Sequence, residues 1–204
     1  MKLYILRHGE TDFNRQGIVQ GGGVDSDLND EGRRQAQRFF EHYNHLRFDA
    51  VYGSDLKRTH QTLEPWLRQH DYELRIEPAI REFSWGDLEG KRPSPEDNRQ
   101  FLEMKNAWSQ GVLDIGVKGG DTPTSFWQRL EPVIWDMAAR HQGETVLACS
   151  HGRTLRILLS QLIGNGMHEM ETFQHKNTGV NVLQFVDSQR VEAILVNDIQ
   201  HLDK

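Results

Sequence analysis

The stretch Leu3-Tyr4-Ile5-Leu6-Arg7-His8-Gly9 has four apolar residues that give way abruptly to a cation and a histidine. A short apolar run of this kind predicts a strand that is buried in a sheet. The glycine after the histidine permits a sharp turn and the close approach of a ligand. The stretch therefore predicts a buried strand that delivers a histidine just past its carboxyl end.

The same arrangement recurs near residue 150. Thr145–Ser150 is a second apolar strand, and His151-Gly152 follows it directly. A third strand, Asp49–Gly53, leads to a helix that Arg58 opens. Sheets of this kind place their chemistry at the carboxyl ends of their strands. If the three strands are neighbours, two histidines and the two arginines at 7 and 58 converge on one point.

Helical patterns alternate with these strands along the chain. This alternation predicts an α/β fold, a three-layer α/β/α sandwich with a mostly parallel central sheet. The other predicted elements are a helix capped by Asn29 or Asp30, a helix from Leu56 with a kink or early break at Pro65, an edge-like strand Tyr72–Ile76, helices after Ser94-Pro95 and Thr122-Pro123, a helix Leu155–Ile163, and strands Val180–Val186 and Val191–Asn197.

The length and composition favour one domain. We expect residues 1–204 to form a single domain, with the Gly-, Pro- and charge-rich segment 83–121 as a cap or insertion. The net charge of −6 argues against nucleic acid or an anionic membrane as the main partner. Cys149 is the only cysteine, and residues 1–12 do not resemble a signal peptide. A reducing, cytoplasmic location is therefore expected, whereas the sequence does not indicate the oligomeric state.

A cluster of cations in a protein of net negative charge indicates that the site binds an anion. Arginine pairs bidentately with phosphate oxygens, and helix amino-termini add further positive potential. Zinc is the main alternative for a histidine pair, but no third ligand occurs at metal spacing, so neither metal nor cofactor is expected. A cysteine-based phosphatase loop would need an arginine six residues after Cys149. Leu155 stands there and Arg156 comes one place too late, so Cys149 is interpreted as a buried strand residue.

The chain resembles the histidine phosphatase superfamily, also called the phosphoglycerate mutase-like family. Four blocks occur in the order of that family and span residues 3–152, with Asn177-Thr178 as a weaker fifth match. The blocks are Leu6-Arg7-His8-Gly9-Glu10-Thr11 with Asn14 and Gln20-Gly21, then Ser54-Asp55-Leu56-Lys57-Arg58-Thr59, then Arg81-Glu82-Phe83 with Gly86 and Glu89-Gly90, and Ser150-His151-Gly152.

The resemblance implies a role for each matching residue. His8 is the implied nucleophile, which forms a phosphohistidine, and Glu82 is the implied proton donor. The phosphoryl group is implied to be held by Arg7, Arg58 and His151, and the substrate pocket to be lined by Asn14, Gln20, Gly21 and Gly152.

Three departures from the family pattern bear on substrate preference. They are the additional residue within Gly22-Gly23-Val24, Asp27 where proline is common, and Gly120-Asp121-Thr122 where Gly-Glu-Ser is usual. We expect a phosphatase that hydrolyses a phosphomonoester of a small metabolite, and the sequence does not identify the alcohol. A mutase with the same phosphohistidine is one alternative, and a catalytically silent phosphate-binding regulatory domain is the other. Trp85, Trp108 and Trp127 either line a pocket or belong to the core.

Overall fold

The computed structural model describes residues 1–203, which form a six-stranded sheet in the order β3-β2-β4-β1-β5-β6. The strands β3, β2, β4 and β1 run parallel, whereas β5 and β6 are antiparallel to their neighbours. Their bounds are β1 Lys2–Arg7, β2 Ala50–Gly53, β3 Leu74–Ile76, β4 Thr145–Ser150, β5 Val180–Phe185 and β6 Val191–Asp198.

The register of the parallel strands aligns their carboxyl ends. Arg7 of β1 lies opposite Ser150 of β4, and Gly53 of β2 lies opposite Cys149. The residues that follow these three strands therefore meet at one edge of the sheet. The strands β1, β4 and β2 are therefore neighbours in the sheet, as the convergence of the two histidines and two arginines required.

Helices cover both faces of the sheet. One apolar core joins inward residues of β1 and β4, such as Leu3 and Val146, to helices α5 and α6. The other joins Leu6 and Leu147 to α2 and α3. These two layers confirm the predicted α/β class with a mostly parallel sheet. The helices are α1 Asp12–Gln16, α2 Asp30–Tyr43, α3 Lys57–His70, α4 Pro95–Ser109, α5 Pro123–Arg140 and α6 Gly152–Leu162.

Two helices differ from their predicted bounds. Helix α3 runs on through Pro65 to His70, although a proline within a helix costs about 3 kcal/mol. Leu63 and Trp66 on either side of it are fully buried, and their packing holds the helix together. Helix α6 begins at Gly152, three residues before the predicted start, because its first turn is polar and the apolar pattern begins one turn later.

The segment 83–121 contains a 3₁₀ turn, Gly86–Leu88, and helix α4. Ser94 and Asp97 form a capping box at the start of α4, as expected for Ser-Pro at a helix start. At its other end Trp108 is buried and donates from Nε1 to the Ile115 carbonyl at 2.9 Å. A capping role for the segment remains a prediction. Within residues 1–203, no helix has the length and apolar character needed to cross a membrane.

Candidate active site

His8 lies at the carboxyl end of β1 and is 2% exposed. Its Nδ1 atom is 2.7 Å from the Gly9 carbonyl oxygen. Because a carbonyl oxygen can only accept, Nδ1 carries the proton and donates it. The second ring nitrogen, Nε2, makes no hydrogen bond to residues 1–203, so its lone pair is left for a ligand.

His151 follows β4, and its ring centroid lies 5.2 Å from that of His8. Arg58 donates from Nε to His151 Nδ1 at 3.2 Å, and Ser54 Oγ lies 2.8 Å from Nε2. A guanidinium has no acceptor, so Nδ1 is the bare nitrogen and Nε2–H donates to Ser54. His151 is therefore held at both nitrogens, in the tautomer opposite to that of His8.

Arg58 is fully buried and joins His151 to the glycine loop 20–24. It donates from Nη1 to the Val24 carbonyl at 2.6 Å and from Nη2 to the Gly21 carbonyl at 3.3 Å. A Cβ atom on Gly21 would lie 2.2 Å from Glu89 Oε1. Only glycine permits this contact, so Gly21 supports Arg58 through its backbone.

Arg7 is anchored by one of its guanidinium nitrogens. Its Nη1 donates to the His175 carbonyl at 2.9 Å, whereas its Nε is buried without a partner among the described residues. A Cβ atom on Gly152 would lie 3.4 Å from that Nε, so glycine keeps the space beside it open. A buried donor without a partner is costly, and an anion at this position would satisfy it.

Glu82 is 7% exposed and sits at the amino-terminus of α6. Its Oε1 accepts from the Phe83 N–H at 2.9 Å and from both the N–H and the hydroxyl of Thr154 at 3.1 Å. Its Oε2 accepts from the Arg153 N–H at 3.2 Å. These donors fix the orientation of the carboxyl group. Oε2 accepts fewer hydrogen bonds than Oε1 from the described residues.

Burial and nearby arginines set the protonation of the site. Burial, then Arg58 and Arg7, hold the His8 pKa well below its ordinary value, so the free imidazole is neutral at pH 7. Burial and Arg58 act on the His151 pKa in the same direction. Burial lowers the pKa of Arg58 to about 10, which leaves it cationic. Burial raises the pKa of the Cys149 thiol, so this sulfur lacks the thiolate that a nucleophile needs.

A cavity of about 180 Å³ opens to solvent at this edge of the sheet. Its lining combines catalytic candidates with residues that the sequence argument did not select. The lining residues are Arg7, Glu82, Trp85, Gly152, Arg153, Arg156 and His175.

Two further residues predicted to line the substrate pocket, Asn14 and Gln20, lie in different surroundings. Asn14 Oδ1 lies 3.3 Å from Asn177 Nδ2, which also donates to the His8 carbonyl at 3.0 Å. Gln20 accepts at Oε1 from the hydroxyls of Thr11 and Ser26 and lines a neighbouring apolar cavity of about 270 Å³. Asn14 is thus linked to His8 through Asn177, whereas Gln20 lies beside the cavity that holds Arg7 and Glu82.

Sequence reasoning missed Arg153, Arg156 and His175 as cavity residues. Arg153 directly follows His151-Gly152 in the first turn of a helix whose amino-terminus was expected at the site, and that position was the available signal. The tryptophans were expected either to line a pocket or to belong to the core. Trp85 lines the cavity and Trp108 is buried in the core, so both cases occur. Residues 1–203 contain no cluster of three or more histidine, cysteine or acidic residues arranged for a metal.

Comparison with known proteins matches residues 3–198 to the family model of the histidine phosphatase superfamily, branch 1. Phosphoglycerate mutase-like protein 4 of Arabidopsis thaliana is 28% identical over 206 residues, which cover 100% of this chain and 87% of that protein. Phosphoserine phosphatase 1 of Hydrogenobacter thermophilus is 26% identical over 191 residues, 94% of this chain and 90% of that protein.

A solved structure shows the same architecture. The α-ribazole phosphatase of Shigella flexneri superposes with a TM-score of 0.81 at 26% identity, covering 97% of this chain and 96% of that one. The fold, the family resemblance and the enzyme class predicted from the sequence are thereby confirmed. Because the family model matches nearly the whole chain, the protein belongs to the histidine phosphatase superfamily, branch 1.

Proposed function

We propose that this protein hydrolyses phosphomonoesters of small metabolites through a phosphohistidine formed on His8 Nε2. Glu82 protonates the leaving oxygen, and the phosphoryl group is held by Arg7 and Arg58. His151, which the resemblance implies as a third holding group, has no free N–H in this arrangement and instead positions Arg58 through Nδ1. The observation that carries the proposal is the state of His8, a neutral imidazole whose Nδ1 is fixed by the Gly9 carbonyl and whose Nε2 lone pair is unoccupied.

In the first step, the Nε2 lone pair of His8 attacks phosphorus and the P–O bond to the alcohol breaks. The departing oxygen takes the proton of the Glu82 carboxyl, so the alcohol leaves neutral. Negative charge on the equatorial oxygens is stabilised by the arginines at 7 and 58, whose positions are already fixed by protein carbonyls. The products are the alcohol, a phosphohistidine and the Glu82 carboxylate.

In the second step, the Glu82 carboxylate takes a proton from water and the water oxygen attacks phosphorus. The P–N bond breaks, its electron pair returns to Nε2, and inorganic phosphate leaves. The cavity that Arg7 and Glu82 line opens to solvent, so water can reach the carboxylate that is proposed to activate it, and this supports hydrolysis over mutase chemistry.

The test of this mechanism compares two leaving groups. Alkoxides are strongly basic, and general acid catalysis is typically worth ~10²–10⁴ in rate. Nitrophenolate departs without a proton. We expect Glu82→Gln to slow phosphoenzyme formation from an alkyl phosphate by this factor and to change formation from p-nitrophenyl phosphate far less.

Rapid-quench measurement with ³²P-labelled substrates isolates the first step, since Glu82 also acts in the second. The matched control is Asp87→Asn, which changes an exposed carboxylate five residues further along the chain and should leave both rates unchanged. Equal slowing of both substrates by Glu82→Gln would remove Glu82 as the donor. If the wild type formed no base-stable phosphoenzyme on His8, the proposal as a whole would be wrong.

A further inference from the structure

A second group of cations lies next to the catalytic candidates. Arg153 and Arg156 of α6 and Lys105 of α4 all converge on the Glu171 carboxylate. Arg156 Nη1 is 2.7 Å from Glu171 Oε2, Lys105 Nζ is 3.0 Å from the same oxygen, and Arg153 Nη1 donates to Oε1.

The charges in this group do not balance. Burial raises the pKa of Glu171, but Arg153, Lys105 and Arg156 outweigh it, so the pKa is lowered and the carboxyl is ionised. Three cations thus share one anion, which leaves an excess of two positive charges. Within residues 1–203 the guanidiniums of Arg153 and Arg156 make hydrogen bonds only to Glu171, and both line the solvent-open cavity.

Arg153 is held rigidly in place. Arg153 is 8% exposed. Its guanidinium carbon lies 5.3 Å from the ring centroid of Trp85 and 5.4 Å from that of Trp108. Contacts with two indole rings and with Glu171 restrict its rotamers before any ligand arrives. A cation fixed in advance binds an anion without a large entropic cost.

The position of these arginines identifies the part of the substrate that they meet. The backbone N–H of Arg153 donates to Glu82 Oε2 at 3.2 Å, and Glu82 lines the same cavity. Since Glu82 faces the bond between phosphorus and the alcohol in the proposed function, its neighbour Arg153 faces the alcohol. Arg7 and Arg58 already account for the charge of the reacting phosphoryl group.

We propose that the preferred substrates carry a second anionic group on the leaving alcohol, a carboxylate or a second phosphate, which Arg153 and Arg156 bind. This inference rests on the proposed function, because it uses Glu82 to mark the leaving group. It narrows the substrate class from phosphomonoesters in general to phosphomonoesters of acidic metabolites.

Matched substrate pairs test the inference. The carboxylate arm compares 3-phosphoglycerate with glycerol 3-phosphate, and the phosphate arm compares fructose 1,6-bisphosphate with fructose 6-phosphate. We expect kcat/KM to favour the member with the additional anionic group in at least one pair by ~10- to 100-fold, the range for hydrogen bonds to a charged group. The arm that shows the preference identifies the anion.

Variants connect the preference to the arginines. Arg153→Gln and Arg156→Gln should each bring the ratio of kcat/KM values toward one. The ratio is measured on one sample, so it is independent of the folded fraction, and Arg156, with a side chain 24% exposed, offers a less buried alternative to Arg153. The control Arg99→Gln removes an exposed arginine of α4 that pairs with Glu96 and is not among the cavity-lining residues, and it should keep the wild-type ratio.

The outcomes separate the two proposals. Wild-type ratios near one in both arms, or ratios that survive both arginine substitutions, would overturn the second anion site while hydrolysis itself persists. Absence of turnover with all four substrates and with p-nitrophenyl phosphate would instead overturn the proposed function, and this inference with it.

Discussion

The two histidine–glycine pairs at the ends of β1 and β4 share a local sequence pattern but not a local environment. His8 donates from Nδ1 to the Gly9 carbonyl, and its Nε2 makes no hydrogen bond to the part of the chain that the structure describes. His151 is bound at both nitrogens, by Arg58 and by Ser54. The rings are 5.2 Å apart and both are neutral, so the difference lies in which lone pair is available.

This difference supports the proposed roles of the two histidines, which the sequence pattern alone cannot distinguish. A nucleophile needs an unoccupied lone pair, and the described contacts leave one on His8 alone of the two. The Nδ1 lone pair of His151 already accepts from Arg58, so attack from His151 would require that contact to break. The family resemblance implies the same assignment, and the hydrogen bonds supply a physical reason for it.

Substitution of the two histidines should have the largest effect. His8→Asn retains a donor near the Nδ1 position and removes Nε2, so turnover should fall by at least about 10⁴-fold. His151→Asn removes the ring that positions Arg58, so the loss in kcat should be at most about 10²–10³, the value for one lost donor to the developing charge. Phosphoenzyme trapping and steady-state kinetics measure both.

Cys149→Ser is the control for this pair, because it changes a fully buried strand residue beside the site and should retain most activity. A phosphoenzyme in His8→Asn, or none in His151→Asn, would reverse the assigned roles. If Cys149→Ser abolished turnover while His8→Asn preserved it, the thiol would be the nucleophile.

Removal of the group that orients His151 should have a smaller effect. Ser54→Ala deletes the acceptor of His151 Nε2–H, together with the hydroxyl contacts to Thr59 Oγ1 and the Leu56 N–H. The contact with His151 is one buried hydrogen bond, worth about 0.5–1.5 kcal/mol. We expect kcat/KM to fall by about 3- to 10-fold, with phosphoenzyme formation intact. Ser160→Ala is the matched control, because Ser160 is a buried serine whose hydroxyl donates to the Ile157 carbonyl of the same helix. A loss as large as that in His151→Asn would place the Ser54 hydroxyl itself on the substrate.

The smallest expected effect is that of pH on the protonation of the His8 and His151 rings. Since both histidine pKa values are depressed, neither ring should gain a proton between pH 8 and pH 6 in the free protein. ¹⁵N NMR of histidine-labelled protein should show neutral rings of opposite tautomer, Nδ1–H for His8 and Nε2–H for His151. An imidazolium signal from either ring at pH 7 would contradict the assignment.

The same depression sets the sign of the acid response. The unfolded chain binds these protons near pH 6.5 and the folded chain does not, so the contribution to the free energy of unfolding is present above pH 6.5 and is lost as pH falls below it. His175, whose pKa is lowered to about 4 mainly by burial, contributes in the same direction between pH 6.5 and pH 4.

Much of the fold followed from local patterns. The apolar runs at Leu3–Leu6 and Thr145–Ser150 predicted buried strands, because a continuous apolar run of this length is typical of a buried strand and too short for most helices. Asn29 and Ser94 marked helix starts through capping chemistry that is local in sequence, and both cap as expected. These features depend on neighbours within a few residues, which is why the sequence could predict them.

Features that depend on distant partners were less accessible. Of the kink or early break expected at Pro65, the break does not occur, because burial of Trp66 against other elements preserves the helix. Arg153 and Arg156 were not selected from the sequence, because their contacts depend on Glu171 and on a cavity built by other segments. The tautomer of His151 depends likewise on Ser54 and Arg58, which lie about 95 residues away from it in the chain.

The segment that leads into β5 has a consequence for the time at which the site is completed during synthesis. The His175 carbonyl holds the Arg7 guanidinium, the Asn177 amide holds the His8 carbonyl, and the Thr178 N–H donates to the Arg7 carbonyl at 3.0 Å. At 5–20 residues per second, a ribosome needs roughly 10–35 s to add the intervening chain. His8 is therefore synthesised 169 residues before the Asn177 amide that supports it, and the hydrogen bonds around it are complete only once translation has passed residue 178.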